Sequence, residues 1–117
     1  MNYIHRIIAI YMGMSKASLF SNHHVKLAEQ AKALSHPARI AILEFLMEKG
    51  SCFCGDIVDE LPLSQATVSQ HLKAMKNAGL IKGDVEGVYR CYCIDTDCCA
   101  DLMTRIKALF SGFSNCC

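Results

Sequence analysis

Leu63-Ser64-Gln65-Ala66-Thr67-Val68-Ser69-Gln70-His71-Leu72-Lys73 has an apolar stripe on one side and small or amide-bearing side chains on the other. With Val68 at the centre of the buried side, the helical period sets Leu72 and Met75 beside it and His71 at its edge, where His71 suits a structural role or a phosphate contact to DNA. Ala66, Gln70, Lys73 and Asn77 fall opposite, with Ser69 on the flank. Ser64 suits an N-cap and Gly79 a stop, so the spacing predicts a helix over residues 64–78. Small and amide side chains on an exposed face let a helix approach base edges. Glutamine can bond adenine through two hydrogen bonds, and Ser or Thr can meet several edges. Ser64, Gln65 and Thr67 lie at the end that usually enters a DNA groove. Lys73 and Lys76 suit phosphate contacts, which anchor without specifying.

The neighbouring stretches extend this pattern. Residues 80–85 and 88–94 read as two strands, with Glu86-Gly87 at the turn between them. Lys82 and Arg90 on that hairpin are placed to reach flanking phosphates. Ahead of Pro62-Leu63, residues 53–61 read as a short helix with Ile57, Val58 and Leu61 inward. Further back, residues 24–34 set Leu27, Ala28, Ala31 and Leu34 on one helical face. Pro37 suits the first turn of a second helix, with Ile40, Ile42, Leu43, Leu46 and Met47 inward and Gly50 as its C-cap. Residues 98–113 return to helical spacing, with Leu102, Ile106, Leu109, Phe110 and Phe113 on one stripe. The expected fold is mainly α with a β-hairpin wing: a winged helix-turn-helix that forms a homodimer through its first and last helices. Residues 21–113 form that domain, residues 1–20 a leader and residues 114–117 a cysteine-containing tail.

Composition narrows the function. The formal net charge is +1 in 117 residues, so affinity for double-stranded DNA must come from a local patch. The apolar run from Ile7 to Met12 is too short to span a membrane, so no membrane partner is expected. Eight cysteines would suggest a disulfide framework in a small secreted protein. No stretch reads as a secretory signal, however. Four of the eight form the vicinal pairs Cys98-Cys99 and Cys116-Cys117, which are poorly suited to bridging themselves. The expectation is a cytoplasmic protein with free thiols kept for binding or redox chemistry. Cys52 and Cys54, one residue apart, form a thiol pair at chelating spacing.

Three segments resemble the ArsR/SmtB family of metal-responsive repressors. They are Leu34-Ser35-His36-Pro37-Ala38-Arg39-Ile40, the stretch from Leu63 to Lys73, and Ala78-Gly79-Leu80-Ile81. The likeness covers residues 24–110 and implies a homodimeric winged helix-turn-helix repressor that leaves its operator when an inducer binds. Cys52-Phe53-Cys54-Gly55-Asp56 resembles the cysteine box of the arsenite-sensing and cadmium/lead-sensing branches, the arsenite branch most closely. Ile57 stands where the arsenite type would have a third cysteine. Residues 1–51 contain no cysteine, unlike the N-terminal arm of the cadmium type. The zinc-sensing branch uses Asp and His along the last helix; here there is Asp101 and no histidine.

Trivalent arsenic and antimony are soft ions that favour thiolates. Cys52 and Cys54 alone would satisfy a trivalent organoarsenical. Arsenite or antimonite would need a third thiolate, from Cys91, Cys93, Cys98, Cys99, Cys116 or Cys117, and some of these could instead form a second site. No permanent cofactor is expected. Redox or persulfide sensing, or cadmium/lead sensing, on the same fold is the alternative. A thiol enzyme is disfavoured, because no nucleophile–base pair is recognisable. A metal buffer would leave the reading helix unexplained.

Overall fold

The computed structural model describes residues 19–50, 52–84 and 90–112. Cys116, Cys117, Phe113, most of the expected leader and the expected wing turn at Glu86-Gly87 with residues 85, 88 and 89 lie outside the described residues. Helix α1 spans Asn22–Lys32, and the Ser21 side chain caps it by accepting from the His24 amide. Helix α2 spans Pro37–Lys49, with Pro37 in its first turn and Gly50 ending it at φ +69°. Strand β1 is Phe53–Cys54, and a 3-10 turn follows at Ile57–Asp59. Helix α3 spans Gln65–Asn77, strand β2 Ile81–Asp84, strand β3 Cys91–Ile94 and helix α4 Thr96–Leu109. The three strands form one antiparallel sheet in the order β1-β3-β2.

The sequence reading differs from this structure at three places. Residues 53–61, expected as a helix, split into a strand and a 3-10 turn. Phe53 pairs with Tyr92, and Asp56 caps the turn by accepting from the Val58 amide. Strand β3 takes up the backbone of Phe53 and Cys54, and residues 56–60 keep only the shorter bonds of the 3-10 turn. The inward residues are nonetheless the expected ones: Ile57 is buried, and Val58 and Leu61 pack against the core. In α1, Ala28 and Ala31 are exposed, and the inner face is made by Leu27, Gln30, Ala33 and the following Leu34. In α2, Ile40 and Met47 are exposed, while Ala38, Ile42 and Leu46 are buried.

Two apolar clusters hold the elements. The larger joins Ile42, Leu46, Ile57, Val68, Leu72, Met75, Ile81 and Tyr92, so α2, the 3-10 turn, α3 and the sheet share one core. Phe53 fastens β1 to α2: its ring meets Phe45 edge-on with centroids 4.9 Å apart. The Lys49 ammonium lies 5.1 and 5.6 Å from those two ring centroids, a cation–π contact to each. The smaller cluster, Ala33, Leu80 and Leu102, seats α1 and α4 against the turn after α3.

His71 belongs to this packing. The structure buries it on the inner side of α3, where Arg39 Nε donates to its Nδ1 at 3.1 Å. The His36 ring lies 4.4 Å away, and the Arg39 Nη1 group also donates to the Lys32 carbonyl. Burial first, then the neighbouring His36 and Arg39, holds the His71 pKa below its ordinary value.

Gly83, at φ +112°, has no room for a Cβ, which would strike the Cys91 carbonyl across the ladder. Gly83→Ala should cost at least about 2 kcal/mol in urea denaturation, from backbone strain plus the clash. For His71 the depressed folded pKa means that the unfolded state takes up a proton first. Stability present above the unfolded value of about 6.5 is then lost as the pH falls through it and on toward the folded value. The melting temperature should drop between pH 7.5 and 5.5. His71→Gln should drop less over that range; an equal drop would remove His71 as the cause.

Candidate nucleic-acid interface and thiol face

Helix α3 begins at a side-chain cap: Ser64 Oγ accepts from the Thr67 amide at 3.3 Å and lies 2.9 Å from Thr67 Oγ1. Val68, His71, Leu72 and Met75 are its buried residues, which orients the rest of the helix outward. Gln65, Ala66, Gln70, Lys73 and Lys76 are exposed, and Thr67 and Ser69 are half-buried on the flanks. Lys82 is exposed on β2, and Arg90 immediately precedes β3. The side chains expected to face DNA thus lie on one exposed side of α3 and on the neighbouring strands, with His71 the exception.

Gln65 and Arg90, expected as separate DNA contacts, touch one another. With its oxygen toward the guanidinium, the Gln65 amide accepts from Arg90 Nη1 at 3.0 Å and Nη2 at 2.7 Å. The opposite amide orientation would set donors against donors. Arg90 also hydrogen-bonds the buried Tyr92 side chain, and its carbonyl accepts from the Gly55 amide at 3.0 Å. It therefore stands where β1, β3 and the start of α3 meet.

The cysteines divide into two groups. Cys54 lies opposite Cys91 in the β1–β3 register, and Cys52 lies beside Cys93, with Cα separations of 4.1 and 4.3 Å. Each pair is joined as a disulfide, where free thiols were expected. The physical reason is the register. Both pairs occupy the closer, non-hydrogen-bonded positions of an antiparallel ladder, two residues apart and so on one face. Phe53 and Tyr92 point to the other face, into the core. With these four sulfurs joined, no group of three or more His, Cys, Asp or Glu side chains among the described residues is placed to hold a metal ion.

Cys98 and Cys99 are free thiols turned toward the turn between α3 and β2. Cys98 Sγ donates to the Ala78 carbonyl at 3.8 Å and Cys99 Sγ to the Leu80 carbonyl at 3.5 Å. Burial, reinforced by Cys98 and Asp95, pushes the Cys99 thiol up and so keeps it protonated. Both sulfurs pack on the smaller cluster. Gln30, buried at 1 % exposure, donates to Asp101 at 3.2 Å and reaches Cys98 at 3.6 Å.

Sequence reasoning missed the pairing of the two thiol groups and the inward turn of His71. A signal for the first was present. Cys52-Phe53-Cys54 and Cys91-Tyr92-Cys93 both alternate thiol, aromatic, thiol, the period of a half-buried strand.

Known proteins are similar to this chain. The family model described as bacterial regulatory protein, arsR family, matches residues 36–82, from the cap of α2 through α3 into β2. A helix-turn-helix transcriptional regulator of Methanocaldococcus jannaschii, MJ1325, is 40% identical over 85 residues, covering 72% of this chain and 94% of that protein. The transcriptional repressor SmtB of Mycobacterium tuberculosis is 44% identical over 59 residues, covering 50% of this chain and 43% of the repressor. The crystal structure of M. tuberculosis Rv0081 superposes with a TM-score of 0.52 at 29% identity, covering 82% of this chain and 97% of that one. The first of these relatives spans most of both proteins, and the family model covers the reading helix itself. The chain belongs to the ArsR family of DNA-binding transcriptional regulators, which act by binding and not by catalysis.

Proposed function

We propose that this chain is a repressor of a metal(loid)-resistance operon, released from its operator when trivalent arsenic or antimony binds the reduced Cys52–Cys54–Cys91–Cys93 face. The observation that carries the reading is the β1–β3 register, which sets two thiol pairs side by side on one exposed edge. Once both bridges are reduced, Cys52 and Cys54 supply two thiolates, and Cys91 or Cys93 supplies the third that arsenite needs. Soft ions favour such a set. Cys98 and Cys99 are weaker candidates, because their sulfurs are engaged by carbonyls.

On the DNA side, Gln65, Ala66, Thr67, Ser69 and Gln70 read base edges, and Lys73, Lys76 and Lys82 meet phosphates. Two copies pack through α4. Its outer face exposes Met103, Ile106, Leu109 and Phe110, with Met103 at 71 % and Phe110 at 58 %, an apolar stripe of the kind that marks an interface. A two-fold pair then sets two α3 helices on successive half-sites. An ion that binds the DNA-released form more tightly lowers operator affinity by the same factor.

A second reading has its own observation. Both cross-strand pairs lie within bonding reach, so the same face can work as a dithiol–disulfide switch with an oxidant or a persulfide as its signal.

Fluorescence anisotropy of the chain's own upstream promoter duplex separates the two. Arsenite should weaken binding by the reduced protein at least roughly tenfold, within the usual range of such couplings. Cys52→Ser with Cys54→Ser should abolish that response. An intact response in the double variant would remove the site. Release by peroxide with none by arsenite would leave the redox reading alone.

A further inference from the structure

We infer that Arg90 is the positioning residue that carries the state of the thiol face to the DNA-reading helix, by holding or releasing Gln65. The inference deepens the proposed function and rests on its premise that the four cysteines control DNA affinity.

Besides its bond to Tyr92, this residue links the thiol face to α3 in three ways. Its guanidinium holds the Gln65 amide oxygen through both Nη atoms, at 3.0 and 2.7 Å. Its carbonyl accepts from Gly55, the residue after Cys54. It is bonded in sequence to Cys91, the partner of Cys54. The Cys54–Cys91 bridge and the Gly55–Arg90 hydrogen bond are therefore adjacent rungs of one ladder. Gln65 is the first residue of α3, the end that enters a groove.

Strand β1 is only two residues long. Such a strand has little ladder of its own and opens at low cost unless something ties it. Phe53 holds its core side, and the two bridges tie its outer side to β3. With them closed, the Arg90 backbone is fixed and its side chain is directed onto Gln65. The two-pronged bond occupies the Gln65 oxygen that a base would otherwise meet, and it turns the Arg90 guanidinium away from phosphate. With the bridges open, β1 loosens, the Gly55–Arg90 rung weakens, and the two-pronged bond gives way, which returns the Gln65 oxygen to DNA. Arg90 and Gln65 thus read the state of the sulfurs without touching them.

Closure balances simply. One thiol sulfur of a pair attacks hydrogen peroxide, breaking the O–O bond and releasing a water, and becomes a sulfenic acid. The partner sulfur then displaces its hydroxyl, forming the S–S bond. The displaced oxygen leaves as a second water with the remaining thiol proton. Each bridge passes two electrons and two protons to one peroxide.

The test is promoter-duplex affinity of the full chain, reduced and after peroxide closure, with bridge formation verified by mass. Wild type should bind more weakly when closed, by about tenfold. Arg90→Ala and Gln65→Ala should each bring the closed-to-reduced ratio close to one. Arg90→Lys, which keeps the charge and loses the fork, should do the same. Melting temperatures should confirm that the variants are folded, and Gln65→Ala, at an exposed position, guards against loss of fold at Arg90. A wild-type response that persists at full size in all three variants would overturn the relay and leave the thiol switch standing. Closed and reduced wild type binding equally would overturn the relay, and an absent arsenite response as well would overturn the proposed function with it.

Discussion

The pairing of β1 with β3 is the constraint on which the rest of the structure depends. It places Phe53 against Tyr92 on the core side and the four cysteines on the outer side. Through Phe53 and its edge-on contact with Phe45, it fastens the segment after α2 to α2 itself. Through Tyr92 and Ile57 it reaches the core that positions α3. The alternating direction of side chains in a strand makes one short pairing serve both purposes. A slip of one residue would send Phe53 out and the thiols into the core, so burial of the aromatic pair also fixes which cysteine meets which.

Much of the fold was legible in the sequence because the strongest signals are local. Ser64, Gly79 and the Val68-Leu72-Met75 stripe fix α3 without knowledge of anything distant. Pro37 and Gly50 bound α2 in the same way. Errors arose where a distant partner decides. Residues 53–61 carry helix-like apolar spacing, yet β3 takes up the main chain of Phe53 and Cys54. Ala28 and Ala31 match the period of a buried face, but α4 meets α1 on the side of Gln30 and Ala33. Periodicity identifies a face and not the element that will cover it.

The candidate site was legible in its residue types and not in its connections. All four cysteines of the outer face were identified from the sequence, but their two-by-two arrangement follows from a strand that was read as a helix. Gln65 and Arg90 were each recognised as able to meet DNA. Their mutual hydrogen bonds depend on the β1–β3 pairing that sets position 90 against position 65, and no local pattern encodes that. His71 sits at the boundary of the apolar stripe, and Arg39 settles its direction by supplying a part-buried donor.

The chemistry of the outer face follows from the fact that one set of sulfurs would serve two bonding modes. A disulfide leaves neither sulfur as a thiolate, and a soft ion needs thiolates. The bridged arrangement and a proposed arsenic-loaded one are therefore mutually exclusive at Cys52, Cys54, Cys91 and Cys93. Both would tie β1 to β3, but by different links. A disulfide joins each cysteine only to the one across the ladder. A trivalent ion drawing on Cys52, Cys54 and one wing cysteine would pull two rungs toward a single centre. The first preserves the ladder that seats Arg90 on Gln65; the second would compress it along the strand. Because β1 has only two residues in which to absorb that compression, the displacement would fall on its neighbours, Gly55 and Arg90, beside the start of α3.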